Sequence, residues 1–200
     1  MSAVGVTREG VVDLPDKTIC IDPGHGGTDP GAVFGAIHEA DLALSISLYL
    51  AAFLRGRGIG VLETRQRNET VSLADRVRVA NSGAADRYIS IHVNSFADPR
   101  ANGVETVVSR HASEATIGWA QALHRRLIQD CPGRADRGVR EDFAERGGDM
   151  YVLKNTRMPA VLVELGFLSH AEDRAWITSV ETHRRLATAL ADGALLAWEG

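Results

Sequence analysis

The sequence predicts one α/β domain, a sheet with helices packed on both faces. Short apolar runs alternate with longer stretches whose apolar residues recur every three or four positions, the pattern of strands alternating with helices laid on a sheet. The 200 residues, 44% hydrophobic and 24% charged, suit a single core of ordinary size. No internal repeat, low-complexity segment or linker divides the chain.

Residues 1–16 read as a lead-in and 17–200 as the domain. The first strand, 17–22, carries Thr18-Ile19-Cys20-Ile21 and hands the chain to Asp22-Pro23-Gly24-His25-Gly26-Gly27. Proline fixes one backbone angle there, and the glycines permit positive φ and close backbone approach. After Gly35, the spacing of Leu42, Ile46, Tyr49, Leu50 and Phe53 predicts a helix that stops at Arg55-Gly56-Arg57-Gly58. A strand at 59–64 follows, and then Ser72 as the N-cap of a helix carrying Leu73, Val77 and Ala80. Tyr88-Ile89-Ser90-Ile91-His92-Val93 is the third strand, and 103–109 the fourth. Residues 112–130 read as helix and 133–149 as a loop rich in Arg, Gly and Asp. Strands at 150–153 and 160–164 come next, and a closing helix spans 180–198.

Composition excludes several functions. A net charge of −4 without a basic run gives no footprint for nucleic acid. No apolar run is long enough for a membrane span. Residues 1–16 lack the pattern of an export signal, so the expectation is cytoplasmic synthesis or a signal already removed. Cys20 and Cys131 are too few for a cysteine-rich zinc site, and whether they pair is left open.

Three polar residues close apolar runs, where a charge is costly unless it faces a cleft: His25, His92 and Glu164. Alternation puts Ser90 and His92 on one face and Ile89 and Ile91 on the other. Glu39 opens the first long helix, a place where the helix dipole alone favours an acid. Two histidines and a carboxylate are a recurrent ligand set for catalytic zinc, with a separate carboxylate as general base and acid. The short His-Glu-x-x-His signature is absent, so the residues alone reach a metal hydrolase and no further.

Six stretches, in order, carry a resemblance. They are Ile21-Asp22-Pro23-Gly24-His25-Gly26-Gly27, His38-Glu39, Thr64-Arg65, Ser90-Ile91-His92-Val93-Asn94, Asp136-Arg137-Gly138-Val139, and Met158-Pro159-Ala160-Val161-Leu162-Val163-Glu164-Leu165-Gly166-Phe167-Leu168-Ser169. From about Lys17 to Trp198 the chain resembles the zinc-dependent N-acetylmuramoyl-L-alanine amidases of amidase type 3. The resemblance implies a mixed, mostly parallel sheet of about six strands in a three-layer, zinc exopeptidase-like domain. It implies His25, Glu39 and His92 as ligands of one zinc ion and Glu164 as the catalytic acid/base. The implied substrate is peptidoglycan, cut between N-acetylmuramic acid and the L-alanine of the stem peptide, so the enzyme would act on the cell wall, outside the cytoplasm.

Asn94 is placed to hold substrate or the attacking water; Arg65 either meets a stem-peptide carboxylate or caps local structure. Arg76 and Asn81 read as structural. His38 is a conceivable stray ligand, and His170 stands where Asn is usual in the family. His111, His124 and His183 read as surface residues, and Trp119, Trp176 and Trp198 as packing aromatics. The segment 140–149 is longer than is common, whereas the part before it reads as an ordinary amphipathic helix, so no plug over the site is expected. An activator or a wall-targeting domain outside this chain is the remaining expected partner. Two rivals stay open: a metal-dependent wall peptidase or deacetylase, and a catalytically silent wall-binding module.

Overall fold

The computed structural model describes residues 16–142 and 150–198. The expected lead-in therefore lies almost wholly outside the described residues, as does most of the 140–149 segment. Eight strands and six helices run in the order β1 (Thr18–Pro23), β2 (Val33–Phe34), β3 (Ile37–His38), α1 (Glu39–Gly56), β4 (Gly60–Glu63), α2 (Leu73–Ser82) and β5 (Arg87–Asn94). Then come β6 (Val104–Val108), α3 (Glu114–Gln129), β7 (Asp136–Glu141), α4 (Tyr151–Asn155), β8 (Ala160–Phe167), α5 (Ala171–Ile177) and α6 (Val180–Leu195).

Six strands form the central sheet in the order β4-β1-β5-β8-β6-β7. β6 runs antiparallel to β8, and all other pairs are parallel. The alternation of each strand decides what each face holds. On one face Ile19, Ile21, Ile89, Ile91, Val93, Val161 and Val163 meet the apolar sides of α1, α3 and α6 in the main core. On the other, Cys20, Tyr88, Val107, Ala160 and Leu162 pack under Val77 and Ala80 of α2 and Val152 and Leu153 of α4. Those two short helices reach only the lower part of their face. Above them, at the carboxyl ends of β1, β5 and β8, the same face carries Asp22, Ser90, His92, Asn94 and Glu164. Open α/β sheets place their ligands there.

Ser72 caps α2 as expected, its hydroxyl accepting from the Asp75 backbone amide. Four expectations are corrected. Residues 150–153 are not a strand: Tyr151–Asn155 is a helical turn and a half, a short apolar run whose period was ambiguous. The sixth strand is instead Asp136–Glu141, inside the expected loop; it is an edge strand whose single apolar residue is Val139. His124 and His183 are not surface residues. His124 is buried between Thr106 and Asp136, and His183 between Ser45 and the Ile177 carbonyl. Cys20 and Cys131 are unpaired, and lie in the cores on opposite sides of the sheet. No helix among the described residues is long and apolar enough to cross a membrane.

Candidate metal centre and catalytic carboxylate

The turn after β1 has to bring a histidine against two other elements within very little space. His25 itself takes φ 58°, a left-handed conformation that a side chain adopts only under constraint. Its neighbour Gly24 leaves room for His92: a Cβ there would fall 2.3 Å from the imidazole Cε1. At Gly31, φ is +66° and a Cβ would fall 2.6 Å from Glu39 Oε2 and 2.7 Å from His25 Cδ2. Both glycines are required by the site.

Two buried arginines hold this turn from below. Arg65, 2% exposed, donates to the carbonyls of Pro23, Gly24, Ala40 and Arg67. Arg76 donates to the carbonyls of Pro23, His25 and Val71 and pairs with Asp22 at 2.6 Å. Asp22 also accepts from Thr64 and Ser90. Burial works against its charge, but Arg76 prevails and holds the carboxyl below the usual carboxylate range. Arg65 is thus the local cap of its two expected roles; with its guanidinium committed to four carbonyls, it is not a contact for substrate. Arg76 and Asn81 are structural, Asn81 bridging to Asn155 and Arg157.

Glu39, the first residue of α1, gathers the site. His25 Nε2 lies 3.2 Å and His92 Nδ1 2.9 Å from the same oxygen, Glu39 Oε1. The amide of Val93 donates to that oxygen and the amide of Ala32 to Oε2, which fixes the carboxylate in place. The two imidazoles meet edge to face, centroids 5.0 Å apart. For both histidines burial opposes the charge, but Glu39 outweighs it, with Asp29 for His25 and Glu164 for His92. His25 is raised to about 9, and His92 above its ordinary value. Glu39 is held well below the carboxylate range by its two histidines, against its own burial.

One ligand atom from each of His25, Glu39 and His92 lies within 4.8 Å of the others, the only such cluster of three among the described residues. Two imidazoles and a carboxylate converging from a loop, a helix and a strand fit a zinc ion with an open position. Asp29, which the sequence reading missed, accepts from His25 Nδ1 at 2.8 Å and would fix the tautomer that leaves Nε2 for a metal. Its only sequence signal is its place four residues after His25. His38 lies outside the cluster: it is half-exposed beside Asp41, at the N-cap position of α1 and without a side-chain capping hydrogen bond. His170, away from the site, caps α5.

Glu164 sits on β8 directly beside His92 of β5, in parallel register. It is 9% exposed and lines a cavity of about 610 Å³ together with Asn94, Ser95, Phe96, Ala101, Arg137, Met150 and Phe167. His25 and His92 line a neighbouring cavity of about 440 Å³. Glu105 is a second residue that the sequence reading missed. It is fully buried on β6, opposite Glu164, and accepts from Asn94 Nδ2 at 3.3 Å and Arg137 Nε at 2.8 Å. The amphipathic helix α3 buries Trp119, Ala120, Leu123 and Leu127 in the core and does not plug the site.

Comparison with known proteins gives the family. The family model described as N-acetylmuramoyl-L-alanine amidase, Amidase_3, matches residues 19–195. The sporulation-specific N-acetylmuramoyl-L-alanine amidase of Bacillus subtilis is 34% identical over 88% of this chain, which spans 66% of that protein's length. The crystal structure of N-acetylmuramoyl-L-alanine amidase from Clostridium difficile 630 superposes with a TM-score of 0.84 at 32% identity, covering 92% of this chain and 98% of that one. The CwlD amidase of Clostridioides difficile, solved in complex with the GerS lipoprotein, gives 0.84 at 26% identity over 91% and 98% of the two chains. The chain belongs to the Amidase_3 family of N-acetylmuramoyl-L-alanine amidases.

Proposed function

We propose that residues 17–200 form a zinc-dependent catalytic domain that hydrolyses the amide between N-acetylmuramic acid and L-alanine in peptidoglycan. The observation that carries this reading is the convergence of His25, Glu39 and His92 with a carboxylate, Glu164, on the adjoining strand. These three residues would hold zinc, which supplies Lewis-acid polarisation of a carbonyl and lowers the pKa of a bound water. Glu164 takes the proton of the attacking water on its carboxylate. It then returns a proton to the nitrogen of the departing L-alanine, one group serving as base and acid in turn. Asn94, in the same cavity and anchored on Glu105, orients the substrate amide. Asp29 keeps His25 in the tautomer that can hold the metal.

The site of action is the cell wall. A separate activator belongs to the proposal because a structurally similar amidase was solved with a lipoprotein bound.

The test is mass spectrometry of purified peptidoglycan digested with and without a zinc chelator. Free stem peptides that begin with L-alanine, lost on chelation and restored by zinc, are the expected products. Cleavage between amino acids would replace this reading with a wall peptidase.

A further inference from the structure

The stem peptide carries carboxylates, and Arg65, the arginine first expected to meet them, is buried and committed elsewhere. Another arginine stands in the cleft. Cross-strand register sets His92 of β5 beside Glu164 of β8, and Glu164 beside Glu105 of β6. Glu105 in turn binds Arg137 of the edge strand β7 at 2.8 Å, with Arg140 Nε 3.6 Å from the same oxygen. A row of alternating function thus crosses four strands at one level: metal ligand, acid/base, buried carboxylate, arginine.

Arg137 is well held. Its Nε donates to Glu105, its Nη1 lies 3.5 Å from the Asn102 carbonyl, and its guanidinium lies over the Phe167 ring, 4.9 Å from the centroid. Its Nη2 makes no hydrogen bond among the described residues, and the side chain is 28% exposed. It is the only cation among the described residues that line the Glu164 cavity. A planar guanidinium fixed on one edge, stacked on a ring and open on the other edge is a receptor for a carboxylate. Resting on the amidase reading, the geometry points to Arg137 as a specificity residue: it receives the free carboxylate of the stem residue that follows L-alanine, and Glu105 positions it.

Glu164 lines the same cavity and Glu105 is buried behind Arg137, so discrimination rests on the directed donors of Arg137. A stem whose second residue is amidated offers that edge a second donor in place of an acceptor, and is the disfavoured substrate.

The experiment measures kcat and KM on two soluble muramyl peptides that differ only in a free or amidated carboxylate on the second residue. The enzymes are the zinc-loaded wild type, Arg137→Gln and Arg137→Lys. Wild type should prefer the free carboxylate roughly 10- to 100-fold, the range for one charge-assisted hydrogen bond. Arg137→Gln should lose that preference, chiefly through a rise in KM for the free-carboxylate substrate; Arg137→Lys should recover part of it. Wild type cleaving both substrates equally, or Arg137→Gln losing both to the same extent, would overturn the subsite and leave the amidase reading intact. Zinc-loaded wild type cleaving neither would overturn both.

Discussion

The two faces of the sheet are made by the same strands, one residue out of step. Ile19, Ile21, Ile89, Ile91, Val161 and Val163 point to the face covered by three helices and are fully buried. Cys20, Asp22, Ser90, His92, Leu162 and Glu164 point the other way. Where α2 and α4 reach that second face it is apolar, and where they stop it becomes the site. The difference shows what leaves a strand end open to carry a site here. Apolar runs secure the register through the covered face, and the uncovered part of the opposite face is then free to carry histidines and carboxylates at fixed spacing. A one-residue slip would bury the site and expose the core.

The polar face pays for its position with buried charges, and the largest expected effect lies there. Arg76→Met would leave Asp22 buried without its charged partner and take the arginine's donors from the His25 and Val71 carbonyls, while Pro23 keeps Arg65, at a cost of about 3–5 kcal/mol. Chemical denaturation of the variant would measure it. The pH dependence has a defined sign: the Asp22 carboxyl is held below its ordinary 3.8, so its contribution is present above that pH and is lost as the pH falls through the folded value.

Zinc affinity is next. His25 holds its proton up to about pH 9 in the absence of a metal, and a metal must displace it. Below pH 9 the apparent affinity should fall about tenfold per pH unit for each proton displaced, measurable by competition with a chelator. An affinity independent of pH between about 7 and about 9 would contradict the raised proton affinity of His25.

On the covered face the matching test is Gly193→Ala in α6. A Cβ there would lie 3.0 Å from the Leu123 backbone of α3, so the change should destabilise by about 1–3 kcal/mol in spite of alanine's better helix propensity. Turnover per folded molecule should be unchanged, because this contact is remote from the site. The smallest effect belongs to the N-cap of α2: Ser72→Ala should cost about 1 kcal/mol in a thermal melt.

The covered face was legible in the sequence because continuous apolar runs and helical spacing both report it. The candidate site was legible only in part from the residues: His25, His92 and Glu164 each interrupt or close an apolar run, whereas Glu39 looked like an ordinary helix-dipole acid until the resemblance gave it a role. Glu105 stayed hidden because alternation alone cannot tell a solvent-facing carboxylate from one facing a buried row. β7 stayed hidden because Asp136-Arg137-Gly138-Val139-Arg140-Glu141 holds one apolar residue, and only its pairing with β6 makes it a strand. Arg65 was open between two roles, and the four carbonyls that decide it come from three separate segments. His124 and His183 were misplaced for a related reason: each lies on the buried side of a helix, with partners on other elements.

The central claim is a division of labour: three residues hold the metal and Glu164 handles protons. The most direct test measures zinc content by elemental mass spectrometry alongside turnover for Glu164→Gln and His92→Ala. Glu164→Gln should keep one zinc per chain and lose roughly 10²–10⁴-fold in turnover, the contribution of a general base and acid; His92→Ala should lose both metal and turnover. A Glu164→Gln enzyme that has lost its zinc, or that still turns over at the wild-type rate, would contradict the account.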